Sequence, residues 1–151
     1  MKFYGSILRP LLFLMDAERA HSLALITLKS GFFPRDKKMP DPILKSKLWD
    51  LEFPTPVGVA AGFDKNGIAA SIWDNFGFGF AEIGTVTWHA QKGNPKPRLF
   101  RNKEDNSLLN RLGFNNKGAD YLVKRLINRK SKIIVGTSIG KNFNTPNELA
   151  H

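Results

Sequence analysis

The stretch FAEIGTV at residues 80–86 is a short, mostly apolar run that carries a glycine and leads directly into polar residues. Two comparable runs lie on either side of it, VGVAAG at 57–62 and IIVGTSIG at 133–140. Short apolar runs with glycine at or near the end are typical of strands buried on both faces of a parallel sheet. The sequence therefore predicts three parallel strands.

Segments of helical character separate these predicted strands. Residues 67–76 lie between the first two, and residues 118–128 lie between the last two, with Tyr121, Leu122 and Arg125 at helical spacing. Strand and helix then alternate as in β/α proteins, whose crossovers are right-handed. We predict an α/β fold in which three strands are too few to close a barrel.

The N-terminal segment has a different pattern. Apolar residues recur there at spacings of three and four, as on one face of a helix: Phe3, Ile7, Leu8, Leu11, Leu12 and Met15. Asp16 is a suitable N-cap for a second helix, which Gly31 ends. We predict a helical hairpin over residues 3–31 within a first segment of residues 1–33. A proline-rich, charged linker separates it from a second domain at 43–151.

Composition and charge narrow the classes of function. Twenty-three Lys and Arg against thirteen Asp and Glu give a formal charge of +10, which suits nucleic acid, an acidic membrane face or a phosphorylated ligand. The absence of cysteine excludes disulfides and a cysteine nucleophile. No run approaches the roughly 18 apolar residues of a membrane span, and no signal peptide pattern is present. We expect a protein that does not span a membrane but could attach to its surface.

Several catalytic and binding classes lack their motifs. The histidines at 21, 89 and 151 are far apart and have no second ligand at metal-binding spacing, so we expect no metal site. Neither GxSxG nor GxxxxGK[ST] occurs, which removes the main support for a hydrolase or a nucleotide triphosphatase. The basic residues near 125–132 have no aromatic platform among them, so we expect no nucleic-acid partner.

Polar residues at the strand ends are the first candidates for a site. They follow a glycine at each predicted strand end: Asp64 and Lys65 after Gly62, Thr85 and Thr87 after Gly84, and Lys141 and Asn142 after Gly140. Ligands of β/α proteins bind at the carboxyl ends of the strands. The alternative is that these glycines only make turns and the polar residues only cap helices.

Lys65 and the segment NRLGFNN at 110–116 have the most specific chemistry. A lysine at such a rim could stabilise negative charge on a reduced cofactor or hold a substrate carboxylate. Its alternative is a plain ion pair with Asp64. Asparagine amides offer donors and acceptors to a planar, imide-like ligand, although asparagine also favours turns for backbone reasons alone.

Taken together, these segments resemble a known family. GVAAGFDKNG at 58–67, AEIGTVTWHAQKGNPKPRLFR at 81–101 and NRLGFNN at 110–116 resemble, in order and spacing, the first half of the class 2, quinone-dependent dihydroorotate dehydrogenases. LMDAERAHSLAL at 14–25 is similar to the N-terminal extension of that class. The resemblance implies the first part of a (β/α)8 TIM barrel preceded by an amphipathic helical hairpin.

The resemblance also implies a function. Members of the family oxidise dihydroorotate to orotate in de novo pyrimidine biosynthesis, with FMN as hydride acceptor and a quinone as electron acceptor. The hairpin would form a membrane-binding pad over a quinone tunnel, or its apolar stripe would pack on the barrel as ordinary core. A peripheral membrane protein on the cytoplasmic face of the bacterial inner membrane, or at the mitochondrial inner membrane, is expected.

Residue roles carry over only where the residues match. FMN would be contacted by Ala61, Gly62, Phe63, Asp64, Lys65, Thr85 and Ser138. Orotate would be held by Lys65, Asn110, Arg111, Leu112, Gly113 and Phe114, with Asn115 as a further contact. His21 and Arg101 match positions near the quinone tunnel.

Two departures from the family limit these expectations. Ser138 stands where the family usually has an asparagine, whose side chain reaches farther. The family's general base is a serine in the second half of the barrel, so no catalytic residue is expected before His151. We therefore expect these residues alone to be inactive and unstable or aggregation-prone. The alternatives are a truncated, non-catalytic product that keeps only the membrane pad, and another FMN barrel, which would not need the hairpin.

Overall fold

The computed structural model describes residues 4–31 and 40–146. The expectations for Phe3, for residues 34–39 of the linker and for His151 fall outside these ranges. A π-helical turn at Tyr4–Leu8 leads into α1, and two further helices follow: α1, Arg9–Phe13; α2, Ala17–Lys29; and α3, Ala119–Ile127. The Asp16 carboxylate accepts a hydrogen bond from the Arg19 amide at 3.0 Å, which confirms the predicted cap of α2.

The described residues contain seven strands. They are β1, Ser46–Leu48; β2, Leu51–Phe53; β3, Gly58–Val59; β4, Phe80–Val86; β5, Leu99–Asn102; β6, Ser107–Asn110; and β7, Ile134–Ile139. The strands β3, β4 and β7 form one parallel sheet in that order, and the other four form two antiparallel hairpins. The predicted set of three parallel strands is therefore confirmed.

The first of the parallel strands is shorter than the run at 57–62 that predicted it. Gly58 pairs with Phe80, and a Cβ atom at position 58 would collide with the Phe80 ring, so only glycine fits there. Beyond β3 the chain still follows β4, because the Gly62 amide donates to the Gly84 carbonyl at 2.7 Å. The loop after β3 therefore reaches the carboxyl end of β4.

The prediction of a continuous helix over residues 67–76 is wrong. The segment is a series of tight turns, in which the Ile72 amide donates to the Ala69 carbonyl at 3.0 Å and the Asn75 amide to the Ile72 carbonyl at 2.9 Å. Only Trp73–Phe76 forms a 3-10 helix. The segment starts as a turn because Gly67 has a φ of +64° and the Ile68 and Ala69 amides donate to the Asp64 carboxylate.

The helix predicted at 118–128 is confirmed as α3, with Gly118 and Asn128 as its caps. Leu122 on its inner face is buried against the parallel sheet. The core is formed by small and medium apolar side chains: Leu25, Val59, Ala69, Ala70, Trp73, Ala81, Ile83, Val86, Leu122 and Ile133. Residues of the parallel sheet, of α2 and α3 and of the segment 67–76 form this core, and the loops lie at the carboxyl ends of the strands.

Arg98 joins α2 to the segment before β5. Its guanidinium donates two hydrogen bonds to the Glu18 carboxylate, at 2.6 Å from Nη2 to Oε1 and at 2.9 Å from Nε to Oε2. Arg98 is only 6% exposed. The hydrogen bond from Arg98 is the main cause that holds the pKa of Glu18 below its usual value. A two-pronged pair of this kind, shielded from water, is stronger than an exposed ion pair.

Replacement of Glu18 by glutamine is expected to destabilise the protein that the gene encodes by about 3 kcal/mol at neutral pH, because Arg98 then stays buried without a counter-charge. The lowered folded-state pKa means that the contribution of Glu18 is present above its ordinary pKa of 4.5 and is lost as the pH falls through the folded-state value. Urea unfolding at a series of pH values would measure both effects.

The matched control is Glu52→Gln. Glu52 pairs with Lys45 at 2.7 Å, but the two side chains are 62% and 57% exposed. Water screens such a pair, so this substitution should change the unfolding midpoint little. Equal losses of stability in the two variants would contradict the assigned role of the Arg98 contact.

Candidate active site

The predicted cofactor and substrate residues meet at one cavity at the carboxyl ends of β3 and β4. The cavity has a volume of about 380 Å3. Its wall consists of Ala61, Gly62, Lys65, Thr85, Asn94, Asn110, Arg111, Leu112, Gly113 and Phe114. We call it the first cavity. It contains the predicted substrate residues Lys65 and 110–114 and four of the predicted cofactor residues, but not Asn115 or Ser138.

One part of its wall is bare backbone. Gly62 has a φ of +101°, and a Cβ atom built there would have no heavy atom within 4 Å. A flat ring could therefore approach the backbone closely at this point, as it could not approach a residue with a side chain. The Thr85 hydroxyl lies 2.9 Å from the Ser138 hydroxyl on the neighbouring strand β7. Backbone and hydroxyls together provide an uncharged polar surface that fits a planar cofactor.

Lys65 supplies a cation to this wall. Its Nζ donates to the Gly62 carbonyl at 2.5 Å, so it is held by the backbone rather than by a carboxylate. Burial lowers the pKa of Lys65. Because Nζ contacts a neutral carbonyl, the positive charge of Lys65 stays available to an anionic ligand. The alternative of a plain ion pair between Lys65 and Asp64 is wrong, since the Asp64 carboxylate binds backbone amides.

Asp64 does not face the cavity with its side chain, which corrects one of the predicted cofactor contacts. It is fully buried, and its two carboxylate oxygens accept hydrogen bonds from the Ile68 amide at 2.7 Å and the Ala69 amide at 2.8 Å. Burial raises the pKa of Asp64, although these two hydrogen bonds act in the opposite direction. The carboxylate therefore organises the turn after β3.

The turn at 110–114 owes its shape to two residues with positive φ, Gly113 at 71° and Phe114 at 52°. Asn110 caps the turn with its own side chain, since its Oδ1 accepts from the Leu112 amide at 2.9 Å. Asn94 supports the turn from the next loop, with its Nδ2 donating to the Arg111 carbonyl at 2.7 Å. Asn94 was missed from the sequence; its place before proline, inside the quoted segment 81–101, was the available signal.

Asn116, the last asparagine of NRLGFNN, has a structural role. Its Nδ2 donates to the Thr87 hydroxyl at 2.8 Å and to the Phe114 carbonyl at 2.7 Å, and its Oδ1 accepts from the Gly118 amide at 2.8 Å. Asn142, after β7, also donates to the Thr87 hydroxyl, at 3.1 Å. For Asn116 the alternative that asparagine serves the backbone of a turn is therefore correct. The hydrogen bonds of its buried amide fix the rim of the first cavity.

A second cavity, of about 400 Å3, lies between α2 and the same loops. Its wall includes Glu18, His21, Ser22, Leu25, Ile26, Phe63, Lys65, Leu108 and Asn115. The His21 ring meets the Phe63 ring edge to face at 4.9 Å. Burial, and next to it the charge of Lys65, lowers the pKa of His21. Phe63 and Asn115 thus lie in this second cavity and not in the first.

Arg101, which matches a family position near the quinone tunnel, is not among the residues that line either cavity. Its Nη1 donates to the Met15 carbonyl at 2.6 Å, and its guanidinium lies 4.7 Å from the centre of the Phe13 ring. Arg101 therefore packs on the joint between α1 and α2, where the side chain closes the end of α1.

A family model described as Dihydroorotate dehydrogenase matches residues 43–151. This chain belongs to the dihydroorotate dehydrogenase family. A protein from Gloeobacter violaceus named Dihydroorotate dehydrogenase (quinone) is 51% identical over 149 residues, which cover 94% of this chain and 42% of the relative. A protein of the same name from Flavobacterium lutescens is 51% identical over 151 residues, which cover 97% of this chain and 43% of the relative.

This member of the dihydroorotate dehydrogenase family spans less than half the length of those two relatives. The resemblance to the N-terminal portion of the quinone-dependent class is thereby confirmed. A crystal structure of DHODH in complex with ferulenol from Eimeria tenella superposes with a TM-score of 0.79 at 42% identity, covering 87% of this chain and 38% of the other. A ligand-free structure from the same organism gives a TM-score of 0.77 at 40% identity.

The described ranges contain neither a helix that could span a membrane nor a cluster of side chains that could hold a metal ion. None of the helices within 4–31 and 40–146 is long and apolar enough to cross a bilayer. The same residues hold no group of three or more histidine, aspartate or glutamate side chains with the geometry of a metal site.

Replacement of Asp64 by asparagine should separate its structural role from a role in binding. The amide keeps one acceptor oxygen, so either the Ile68 or the Ala69 amide loses its partner, at a cost of about 1 to 3 kcal/mol in unfolding free energy. Affinity for a flavin should stay unchanged at temperatures where the variant is folded. Thermal unfolding and flavin titration would measure the two quantities, with exposed Asp120→Asn as the control. A loss of flavin affinity without a loss of stability would show instead that the carboxylate reaches the ligand.

Proposed function

We propose that this chain carries the flavin and substrate site of a quinone-dependent dihydroorotate dehydrogenase. The reaction is the oxidation of dihydroorotate to orotate in de novo pyrimidine biosynthesis, with FMN as hydride acceptor and a quinone as final electron acceptor. One observation carries the proposal: four of the residues expected to bind FMN and the residues Lys65 and 110–114 expected to bind orotate meet in the first cavity. The names of the relatives support the same reaction and acceptor.

FMN fits the open side of the first cavity. Ala61 and Gly62 would lie against its ring, and the Thr85 and Ser138 hydroxyls would donate to or accept from its polar edge. When bound, FMN supplies the acceptor for the hydride that leaves the substrate. Lys65 would stabilise negative charge on the reduced ring, because its ammonium is held in place by a neutral carbonyl.

Dihydroorotate would lie between Lys65 and the turn at 110–114. The ammonium of Lys65 suits the carboxylate of the substrate, and the amides of Asn110 and of the turn suit its neutral ring groups. The general base that removes the second hydrogen as a proton is expected on a serine beyond these residues, as is the rest of the barrel. These 151 residues would therefore bind ligands but lack the base, and be inactive alone.

The second cavity and the helices beside it fit a quinone at a membrane surface. His21, Phe63 and the apolar face of α2 would line the path of the quinone from the bilayer to the flavin. The exposure of the stripe on the first helical turns supports this, since Ile7, Leu11 and Met15 are exposed by 50%, 56% and 37%. We propose peripheral attachment to the cytoplasmic face of the bacterial inner membrane, or to the mitochondrial inner membrane in a eukaryote.

A non-catalytic product that keeps only the membrane pad is the second candidate, favoured by the exposed apolar stripe on the first helical turns. The flavin content of the purified gene product distinguishes the two candidates. An enzyme should be yellow and should lose its flavin absorbance when dihydroorotate is added. A colourless product that binds membranes would favour the second candidate, and a yellow product that dihydroorotate does not bleach would contradict the proposed reaction.

Lys65 can be tested in the same assay. Substitution of Lys65 by methionine should slow the bleaching by dihydroorotate about a hundredfold, because it removes the positive charge that faces the reduced ring. The control is Lys124→Met, on the exposed face of α3. A normal bleaching rate in the Lys65 variant would show that the charge of Lys65 does not contribute to the reaction.

Membrane attachment predicts a difference between two exposed apolar residues. Leu14, between α1 and α2, is 85% exposed, and Ile127, at the end of α3, is 75% exposed. Leu14→Glu should weaken binding to vesicles that contain anionic phospholipid, because it places a carboxylate in the apolar pad. Ile127→Glu should leave it unchanged. Sedimentation with the vesicles would measure both, and equal effects would contradict the placement of the pad.

A further inference from the structure

Arg98 connects α2 to the loop before β5 with its whole guanidinium. Nε and Nη2 bind Glu18 on α2, while Nη1 donates to the Lys92 carbonyl at 2.5 Å and to the Asn94 carbonyl at 2.9 Å. All three nitrogens are engaged, and the side chain is almost fully buried. The two sides of this contact cannot move apart without breaking charge-assisted hydrogen bonds.

Asn94 carries the connection on to the turn at 110–113. Its amide donates to the Leu112 carbonyl at 3.0 Å and its Nδ2 to the Arg111 carbonyl at 2.7 Å. In the opposite direction, the Arg111 amide donates to the Arg98 carbonyl at 3.0 Å. Asn94 thus holds the Arg111 and Leu112 carbonyls of the turn, and Arg98 in turn holds the Asn94 carbonyl.

The contact lies between the two cavities. Glu18 lines the second cavity together with His21, three residues farther along α2, but it does not line the first. The turn at 110–113 lines the first cavity, and its residues Asn110 and Leu112 also line the second, as Lys65 does. Arg98 belongs to neither wall, so a change in its hydrogen bonds reaches the two cavities through its partners, while its charge adds to burial in lowering the pKa of Lys65, which lines both.

We propose that Arg98 is a positioning residue that couples the seating of α2 to the geometry of the turn at 110–113. Occupancy of the second cavity and occupancy of the first are then linked energetically. The link is reciprocal: a ligand that seats α2 tightens binding in the first cavity, and the converse holds to the same degree. This inference rests on the proposed function, which assigns dihydroorotate to the first cavity and the quinone to the second.

The first experiment uses Glu18→Gln and Arg98→Lys in the protein that the gene encodes. Lysine keeps the charge of Arg98 but cannot form the two-pronged contact. The concentration dependence of flavin bleaching, without quinone, gives the dissociation constant of dihydroorotate. Both variants should raise it about fivefold or more, and in Arg98→Lys, which alters a residue of neither cavity wall, the rate at saturation should stay unchanged. Ala20→Gly is the control, because it weakens the same helix at a buried position that contacts neither cavity.

The second experiment measures the coupling by hydrogen exchange at backbone amides, in the absence of any ligand. In Glu18→Gln, hydrogen exchange at the Asn94 and Leu112 amides should accelerate about fivefold or more, because their supports loosen when Arg98 is released. Exchange at the Leu122 amide in α3 should not change.

Two results would overturn the coupling. One is faster exchange confined to α2; the other is an Ala20→Gly variant that weakens dihydroorotate binding as much as Glu18→Gln does, since general loosening would then explain both. If dihydroorotate does not bleach the wild-type protein, the proposed function fails, and the exchange at Asn94 and Leu112 alone decides the coupling.

Discussion

The buried amide of Asn116 is the contact on which the rim of the first cavity depends. With four hydrogen bonds it holds the end of β4 through Thr87, the binding turn through the Phe114 carbonyl and the start of α3 through the Gly118 amide. Thr87 and Asn116 are 0% and 6% exposed, so a lost partner would be left without water. Such groups cost about 1 to 3 kcal/mol each when unpaired, which gives the rim a single stable arrangement.

Adjacent acid and base side chains are separated at this rim. Asp64 turns inward and serves two backbone amides, while Lys65 turns toward the cavities and rests on a backbone carbonyl. A direct pair between them would have neutralised the cation that an anionic ligand needs. The backbone carbonyl of Gly62 therefore holds the Lys65 ammonium in position, as a counter-ion would, but does not cancel its charge.

The sequence predicted best where burial imposes one pattern. The run at 80–86 is mostly apolar because Ala81, Ile83 and Val86 of β4 are buried, and α3 has one buried face. The tight turns at 67–76 were mistaken for a helix because small buried alanines suit both. The hairpin β1–β2 was missed because its turn uses Trp49 and Asp50 at φ of 50° and 62° instead of glycine or asparagine. The inward direction of Asp64 comes from local hydrogen bonds to the Ile68 and Ala69 amides, in keeping with the alternative that this residue only caps the segment after it.

The contact between Thr85 and Ser138 bears on how these two positions can change over time. In a pair of hydroxyls 2.9 Å apart, one proton is used between them, and only the other remains to be donated outward. The pair thus offers one outward donor, against the two N–H donors of an asparagine amide, and the function is shared between neighbouring strands β4 and β7. A substitution at either position alters the hydrogen bonding of the other. The two sites are therefore expected to evolve as a unit, with the effect of each change depending on its neighbour.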